Sequence, residues 1–411
     1  MASLGRLGEA LLWAIALLAF ANVVAWSLLR LWPRLLISEN ERLQLDYLAR
    51  FEGELRRFIP EWFDIDERDW PEFRKEYSKG ETGAHVYDPF VEFKHPLYSG
   101  RFLNVHPAGF RHGRDQGAWP PQPEYCNIFF FGGSTTLNVG PDWTCIPSYL
   151  QEVLNRRAAT AKPVRTYNFG RGSYFSTQER ILFQQTLLSG VTPDVAVFLD
   201  GVNDLYFFNG LPATSGLFQQ ALDQHNREAY EARRLRSHAR PKLDKLREFV
   251  GSLPFSLIIE RLGKTITLRS ATAEQAPYRP IPVESALLEQ ALDRWEANKR
   301  QIEAVAKAYG IRTVFVWQPT PAYKYDLSFH VALNVHYGLG GHERSGQGYA
   351  IFAERLRNRS LGPNFVWLAD IQEKERRPLY LDNMHYVSSF NRVIAEHIAD
   401  AIVQRGLLPK G

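Results

Sequence analysis

The sequence contains, in short motifs, the three residue types that serine-based nucleophilic catalysis needs. Ser134 follows two glycines and the apolar run 128–131, and Asp382 stands three residues before His385. A serine hydroxyl becomes a useful nucleophile when a neutral imidazole takes its proton, and a carboxylate can orient that imidazole. Ser134 is therefore a candidate nucleophile, His385 a candidate base and Asp382 its carboxylate. Simpler interpretations exist: a Gly-Gly turn can bind phosphate or merely connect elements, and an Asp before a His can cap a helix or ligate a metal.

Two glycine-rich motifs contain donors that this chemistry would use. One is the segment 170–173, which includes Gly172 and Ser173, and the other is the segment 201–204, which includes Asn203. A tetrahedral intermediate is stabilised by donors aimed at its developing oxyanion. The backbone N–H of Ser134, one N–H of segment 170–173 and the side-chain amide of Asn203 are the candidates. Gly-x-Asn-Asp is also an ordinary turn sequence.

The elements around these motifs alternate between strands and helices. Continuous apolar runs predict strands, and apolar residues three and four positions apart predict helices. The strands are predicted at 127–131, 164–168, 194–200, 313–317 and 365–368, and the helices at 143–157, 176–190, 286–309, 344–358 and 388–405. This alternation predicts an α/β fold with a parallel sheet covered on both faces. The motifs that follow the strands are then expected to meet at one edge of the sheet.

Taken in order, the motifs resemble those of the SGNH (GDSL-type) hydrolase superfamily. The segment 132–135 (Gly-Gly-Ser-Thr) is similar to the nucleophile block, and 170–173 falls on the second block. The segment 201–204 (Gly-Val-Asn-Asp) is similar to the third block, and 382–385 (Asp-Asn-Met-His) to the last. The Gly-x-Ser-x-Gly motif of ordinary α/β-hydrolases is absent. The resemblance covers about residues 125 to 405, apart from an insertion.

The resemblance implies a three-layer α/β/α sandwich with a five-stranded parallel sheet in the order 2-1-3-4-5. It also implies that Ser134 is the nucleophile, that His385 is the general base and then the general acid, and that Asp382 orients His385. The family's chemistry uses no cofactor, and the scattered histidines of this sequence lack the spacing of a metal site.

The resemblance assigns the oxyanion hole to Ser134, Asn203 and either Gly172 or Ser173. Two positions depart from the family pattern. Gly133 stands where many members have Asp. Ser173 stands where the oxyanion glycine is expected, with Gly172 one place earlier. Either residue would supply a backbone N–H, so the resemblance does not decide which of them is the donor.

The N-terminal segment predicts a membrane anchor. Residues 10–29 are uncharged and long enough to cross a bilayer as a helix. A cleaved signal peptide is the alternative, since 19–21 (Ala-Phe-Ala) resembles a cleavage site, but the apolar run continues past it and favours an uncleaved single-pass anchor. Arg30 and Arg34 follow the run and Arg6 precedes it, so the positive-inside rule places the body of the protein in the cytoplasm. Analogy with anchored family members instead places it outside the membrane, in the periplasm.

Three regions are predicted along the chain. Residues 1–36 contain the anchor, and 37–124 contain an amphipathic juxtamembrane helix that ends at Pro60 and an aromatic-rich extension packed on the main domain. Residues 125–411 form the SGNH-like domain, interrupted by a helical insertion at about 205–284. The insertion has the composition of a solvated helical excursion, and a lid, a membrane-surface contact or a partner site are the alternatives.

The composition argues against nucleic-acid binding, a four-ligand zinc site and a disulfide scaffold. With a net charge of +4 on 411 residues and no basic motif interleaved with aromatics, the chain gives no sign of nucleic-acid binding. Its two cysteines cannot form a disulfide scaffold or a four-ligand zinc site. Cys126 and Cys145 are expected at opposite ends of a strand, beyond the reach of a disulfide, so both should be free thiols.

These observations lead to a first hypothesis of a membrane-anchored serine esterase. It would remove O-acyl groups, foremost acetyl groups, from a cell-envelope polysaccharide, and its substrate would be an acylated glycan or a small ester. An O-acyltransferase with the same catalytic residues is the second hypothesis, because only the acceptor differs. A non-catalytic assembly or binding platform is the third. A membrane protein is a candidate partner, since anchored family members often work beside membrane-bound acyltransferases.

Overall fold

The fold is known from a computed structural model, which describes residues 56–80, 86–206, 284–331 and 341–409, with Trp13, Leu17, 20–27, Leu253 and Leu339. The chain divides into two compact units, one made of 56–222 and 280–411 and the other of 1–55 and 223–279. Of the predicted anchor, the structure describes Trp13, Leu17 and the helical residues 20–27, whereas the juxtamembrane helix and the insertion lie almost entirely outside the described residues. Within the described part of the chain, no helix has the length and apolarity needed to cross a membrane.

The chain from residue 56 to the first strand of the main sheet forms small helices and hairpins. It contains α1 (Ile59–Phe63), α2 (Trp70–Gly80) and two antiparallel pairs, β1 (Val86–Asp88) with β2 (Glu92–Lys94) and β3 (Tyr98–Ser99) with β4 (Asn104–Val105). The expected helix end at Pro60 is wrong. Pro60 lies in the first turn of α1, where a proline loses no helical hydrogen bond because the first N–H groups have no partner.

Five parallel strands form the main sheet. They are β5 (Cys126–Gly132), β6 (Val164–Asn168), β7 (Val195–Asp200), β8 (Arg312–Trp317) and β9 (Phe365–Trp367). Their order is β6-β5-β7-β8-β9, which confirms the predicted order 2-1-3-4-5. Every residue of β5 and β7 is buried, as expected for central strands of a sheet covered on both faces.

An aromatic row crosses the sheet and fixes its register. Phe131 pairs with Phe198, and Phe198 pairs with Phe315, on three neighbouring strands. The ring centroids of these pairs are 5.1 and 5.2 Å apart, and the rings are nearly parallel. A slip of one residue would turn each ring to the opposite face, so this row holds the strand ends, and the motifs behind them, in alignment.

The helices that follow the strands cover both faces. They are α3 (Ser134–Leu137), α4 (Ile146–Arg156), α5 (Ser176–Leu188), α6 (Val202–Tyr206), α7 (Ser285–Ala308), α8 (Glu343–Arg357) and α9 (Ser388–Gln404). Helices α5, α7 and α8 pack on the face that carries Phe131, and α4 and α9 pack against each other on the opposite side. The long helices lie close to their predicted positions. The four-residue helix α3 is too short to show a period in the sequence, and it was not predicted.

Both cysteines are buried and free, which confirms the expectation for them. Burial raises the pKa of the Cys126 thiol to about 12. The thiol of Cys145 lies 3.1 Å from the Oγ of Ser148 inside the domain. Neither thiol is therefore a reactive group at neutral pH.

Three buried carboxyl groups lie together behind the C-terminal end of β7. They belong to Glu179, Asp200 and Asp204, each at most 3% exposed. The Nε1 of Trp295 donates to Asp200 at 2.8 Å, and the hydroxyl of Ser176 donates to Asp204 at 2.5 Å. Burial and the neighbouring Asp204 raise the pKa of Asp200 to about 7, and burial also raises the pKa of the other two carboxyl groups. The cluster therefore keeps protons that exposed carboxylates release.

The contribution of Asp200 to the stability of the domain should fall as pH rises from 5 to 8. Folded Asp200 holds its proton up to a pKa of about 7, whereas an unfolded aspartate releases it near pH ~4, so the unfolded state gains relative stability across this interval. Asp200→Asn removes this titration and keeps an oxygen for Trp295. Urea unfolding at pH 5 and pH 8 gives the change in unfolding free energy between the two, and this change should be more positive in the variant than in the wild type by about 1 kcal/mol or more. The same change in both proteins would contradict the assignment.

Candidate active site

Ser134 lies where strand β5 ends and helix α3 begins. Gly133 precedes the helix in an extended conformation, and the amides of Thr136 and Leu137 donate to its carbonyl oxygen at 3.1 and 3.0 Å. A Cβ on Gly133 would overlap the Nδ2 of Asn203. Glycine therefore fits this position, and the Asp of the family pattern would displace Asn203.

Asp382 and His385 lie in a closed loop just before α9. An antiparallel bridge between Tyr380 and Tyr386 closes the loop. Inside it, Asp382 Oδ1 accepts hydrogen bonds from the backbone N–H groups of Met384 at 2.9 Å and of His385 at 2.8 Å. The carboxylate is thus held by the loop itself, and its second oxygen faces the imidazole.

The structure brings Ser134, His385 and Asp382 into one hydrogen-bonded chain. The Nδ1 of His385 lies 2.6 Å from Asp382 Oδ2, and its Nε2 lies 2.8 Å from Ser134 Oγ. Burial opposes ionisation of Asp382, but the charge and hydrogen bonds of His385, together with the loop amides, hold its pKa below the ordinary value. The ionised carboxylate favours a proton on Nδ1 and leaves Nε2 as the acceptor for the serine hydroxyl.

Asn203, the predicted side-chain donor, lies on α6 beside the turn that carries Ser134. Its side chain is buried, and its Nδ2 donates to the carbonyl oxygen of Tyr174 at 2.7 Å. An amide nitrogen carries two hydrogens, so this bond uses one and sets the direction of the other. The Nδ2 atom lies close to Gly133, beside the turn that carries Ser134.

The second glycine-rich segment passes close to helix α3. A Cβ on Gly170 would lie 2.5 Å from the backbone nitrogen of Leu137, so this position requires glycine. The N–H of Gly172 donates to the Nε2 of His95 at 3.3 Å. Ser173 adopts a left-handed conformation, with φ of 61°. The N–H of Gly172 therefore already has an acceptor in His95.

A buried guanidinium that sequence reasoning missed binds the chain just after Ser134. Arg111 donates to the carbonyl oxygens of Leu137 at 3.0 Å, of Asn138 and of Gly140 at 2.5 Å, and its Nε bonds to Asp142 at 2.9 Å. It thereby pairs carbonyl groups that a helix leaves free at its C-terminal end. No local pattern reveals this contact, because the partners lie 26 or more positions away along the chain.

His342, a histidine that sequence reasoning left unassigned, is buried at the start of α8. Its ring stacks on Tyr206 with centroids 4.3 Å apart. Burial lowers the pKa of His342 to about 4, and the charge of Asp382 only partly opposes this effect. The ring is therefore neutral at pH 7 and adds no positive charge near Asp382. The sequence does not indicate that His342 is a buried, neutral ring, because an isolated histidine belongs to no recognisable motif.

Two glycine substitutions test whether close packing against helix α3 is the reason for glycine at position 170. Gly170→Ala places a methyl group against backbone atoms of α3 that cannot move aside, so it should lower the unfolding free energy by about 1–3 kcal/mol. Gly172→Ala meets only the ring of His95 at 3.8 Å and should change it by less than about 0.5 kcal/mol. Urea denaturation of both variants is the measurement. Similar losses in the two would show that the assigned close approach is incorrect.

No protein-family profile matches the chain, and no curated protein matches its sequence. Among solved structures, an acetyl xylan esterase is 14% identical with a TM-score of 0.35, covering 67% of this chain and 99% of its own. A catalytic mutant of the acetylxylan esterase Axe2 from Geobacillus stearothermophilus is 14% identical with a TM-score of 0.34, covering 67% and 93%. A protein of the G-D-S-L family from Desulfitobacterium hafniense is 10% identical with a TM-score of 0.32, covering 67% and 99%. Structural similarity at this level does not identify an activity or a substrate. The arrangement of the site residues is the basis for the proposed function.

Proposed function

We propose that the protein is a serine esterase of the SGNH type. The observation that carries this proposal is the continuous chain from Asp382 through His385 to the hydroxyl of Ser134, with contacts of 2.6 and 2.8 Å. The three groups come from two distant parts of the sequence and meet beyond the carboxyl end of β5. A fold kept only as a platform has no need for this alignment.

In the proposed reaction, Ser134 Oγ attacks the ester carbonyl carbon while His385 Nε2 takes the hydroxyl proton. The carbonyl π electrons move to oxygen, and the resulting oxyanion receives hydrogen bonds from the N–H of Ser134, the amide of Asn203 and an N–H of the 170–173 segment. His385 then gives its proton to the departing alkoxide, which leaves an acyl-serine. Asp382 stays ionised and stabilises the imidazolium.

Water completes the cycle in a second half-reaction, in which it attacks the acyl-serine and His385 again acts first as a base and then as an acid. His385 takes a proton from water, the oxygen of which attacks the acyl-serine, and then returns a proton to Ser134 as the free acid departs. Each proton taken is given back, so the site needs no cofactor. If a sugar hydroxyl replaces water, the product is a new ester, and the protein is an O-acyltransferase. The triad and its donors serve both acceptors equally.

For the substrate, we propose an O-acyl ester, foremost an acetyl ester, on a cell-envelope polysaccharide. The support is the family resemblance of the four motifs together with the apolar run 10–29, which would tether the catalytic domain to a membrane. The domain would then face the periplasm, where envelope glycans are found. This arrangement runs against the small excess of Arg30 and Arg34 over Arg6, which is too weak a bias to set orientation.

Hydrolysis of a short-chain aryl acetate by the detergent-solubilised full chain tests the esterase proposal. Ser134→Ala should lower kcat/KM by about a thousandfold or more, because the acyl-enzyme can no longer form. Ser328→Ala is the matched control, since Ser328 is an exposed serine whose hydroxyl bonds to Asp326 in its own turn. It should keep the wild-type rate.

Near-blank rates for all three proteins would contradict hydrolysis of simple esters. Transfer from an aryl acetate to a supplied glycan, dependent on Ser134, would then identify the acyltransferase. Absence of both reactions, with the fold intact, would identify the platform.

A C-terminal reporter that is active only outside the cytoplasm tests the proposed membrane side. Fused to the full chain and expressed in a Gram-negative bacterium, it should be active and remain with the membrane fraction. Deletion of residues 1–36 should leave it inactive, because the segment that directs export is lost. An inactive full-length fusion beside an active cytoplasmic reporter would reverse the orientation.

A further inference from the structure

We propose that the β1–β2 hairpin and His95, which lie outside the SGNH-like region, position two of the three oxyanion donors of the site, the amide of Asn203 and the N–H of Ser173. This proposal rests on the proposed function for its catalytic consequence, but its structural part stands on contacts alone. The hairpin contacts the side chains of Arg171 and Tyr174, and His95 contacts the backbone of Gly172.

Arg171 is the first contact. Its guanidinium is 2% exposed, and its Nη1 lies 2.8 Å from Asp88 Oδ2 and 3.0 Å from the carbonyl oxygen of Phe93. A buried cation is costly unless it is paired and hydrogen-bonded, and both partners here belong to the hairpin. The hairpin therefore adds to the hold on the backbone at Arg171, whose own N–H donates to the carbonyl oxygen of Gly132 at 3.0 Å.

Tyr174 is the second contact and leads to Asn203. The Tyr174 hydroxyl accepts from Arg171 at 2.9 Å and lies within hydrogen-bond distance of the carbonyl oxygens of Val91 at 2.6 Å and Phe93 at 2.5 Å. At the other end of the same residue, the Tyr174 carbonyl oxygen accepts from Asn203 Nδ2 at 2.7 Å. The hairpin thus sets the position of the residue that orients the side-chain donor.

His95 is the third contact and acts on the backbone donor. Its Nε2 accepts from the N–H of Gly172 at 3.3 Å, which turns that peptide toward the hairpin. The next residue, Ser173, is left-handed with φ of 61°. A non-glycine residue adopts this conformation only where its surroundings impose it. Holding the Gly172 amide is one such constraint, and it directs the following N–H, that of Ser173, away from His95.

His95 is therefore a positioning residue that acts through segment 170–173, without contact to the reacting atoms. A misplaced oxyanion donor weakens binding of the transition state while substrate binding is largely kept. Loss of His95 should accordingly reduce kcat and leave KM nearly unchanged. A glutamine at this position carries an amide oxygen that can accept the Gly172 N–H in place of Nε2, so it should restore the lost rate.

The test compares His95→Ala, His95→Gln and the control His397→Ala in the full chain, with His397 an exposed histidine on α9. Aryl acetate hydrolysis should show kcat lowered about 10- to 100-fold in His95→Ala, with KM within about twofold of wild type. His95→Gln should recover most of kcat, and His397→Ala should match wild type. Unchanged kcat in His95→Ala, while Ser134→Ala abolishes the rate, would overturn the proposal.

Amide hydrogen exchange of the peptide that covers 170–175 is measured on the same proteins. It should be faster in His95→Ala and return toward wild type in His95→Gln, because the Gly172 amide regains an acceptor. Hydrogen exchange can be measured whether or not the protein hydrolyses esters. If the wild type shows no Ser134-dependent rate, the proposed function fails, and exchange still decides whether His95 holds the segment. Equal exchange in all variants would show that it does not.

Discussion

The position of Ser134 depends on the buried guanidinium of Arg111. A charge taken out of water must be compensated by close partners, and Arg111 finds them in the carbonyl groups that follow helix α3 and in Asp142. Asp142 in turn accepts from the backbone and side chain of Asn104. None of these groups can be satisfied alone, so the turn behind the serine and the extension must fold together.

A second buried arginine, Arg171, joins the same two regions of the chain in the opposite direction. Arg111 reaches from the extension into the loop after β5, whereas Arg171 reaches from the loop after β6 into the extension, where Asp88 pairs with it. The backbone joins the same surfaces, since the N–H of Arg111 donates to the carbonyl oxygen of Asn168 at 2.8 Å. Removing one member of a buried ion pair leaves an uncompensated charge, which costs about 3–5 kcal/mol. The extension is therefore part of the same cooperative unit as the strands that carry the site.

Sequence reasoning succeeded where the information is local. The period of apolar residues located the five strands and the longer helices, and motif order singled out Ser134, Asp382 and His385, which the structure joins in one hydrogen-bonded chain. It failed for α3, which has too few residues for a period, and for Pro60, which suits the first turn of a helix as well as its end. It could not find His95 or Arg111, because their partners are set by tertiary packing. The donor choice between Gly172 and Ser173 likewise depends on which amide the distant His95 engages.

The separation of the three groups along the chain has a mechanical consequence. Asp382 and His385 share one short loop, closed on itself by the Tyr380–Tyr386 bridge, so their mutual geometry is independent of the sheet. Ser134 begins helix α3 directly after β5, 251 positions away from His385. A displacement of the loop as a body would therefore change the distances from Ser134 Oγ to His385 Nε2 and to Met384 Sδ, which lies 3.8 Å away, and leave the imidazole–carboxylate pair intact. The site thus consists of two preassembled halves that meet at the serine hydroxyl.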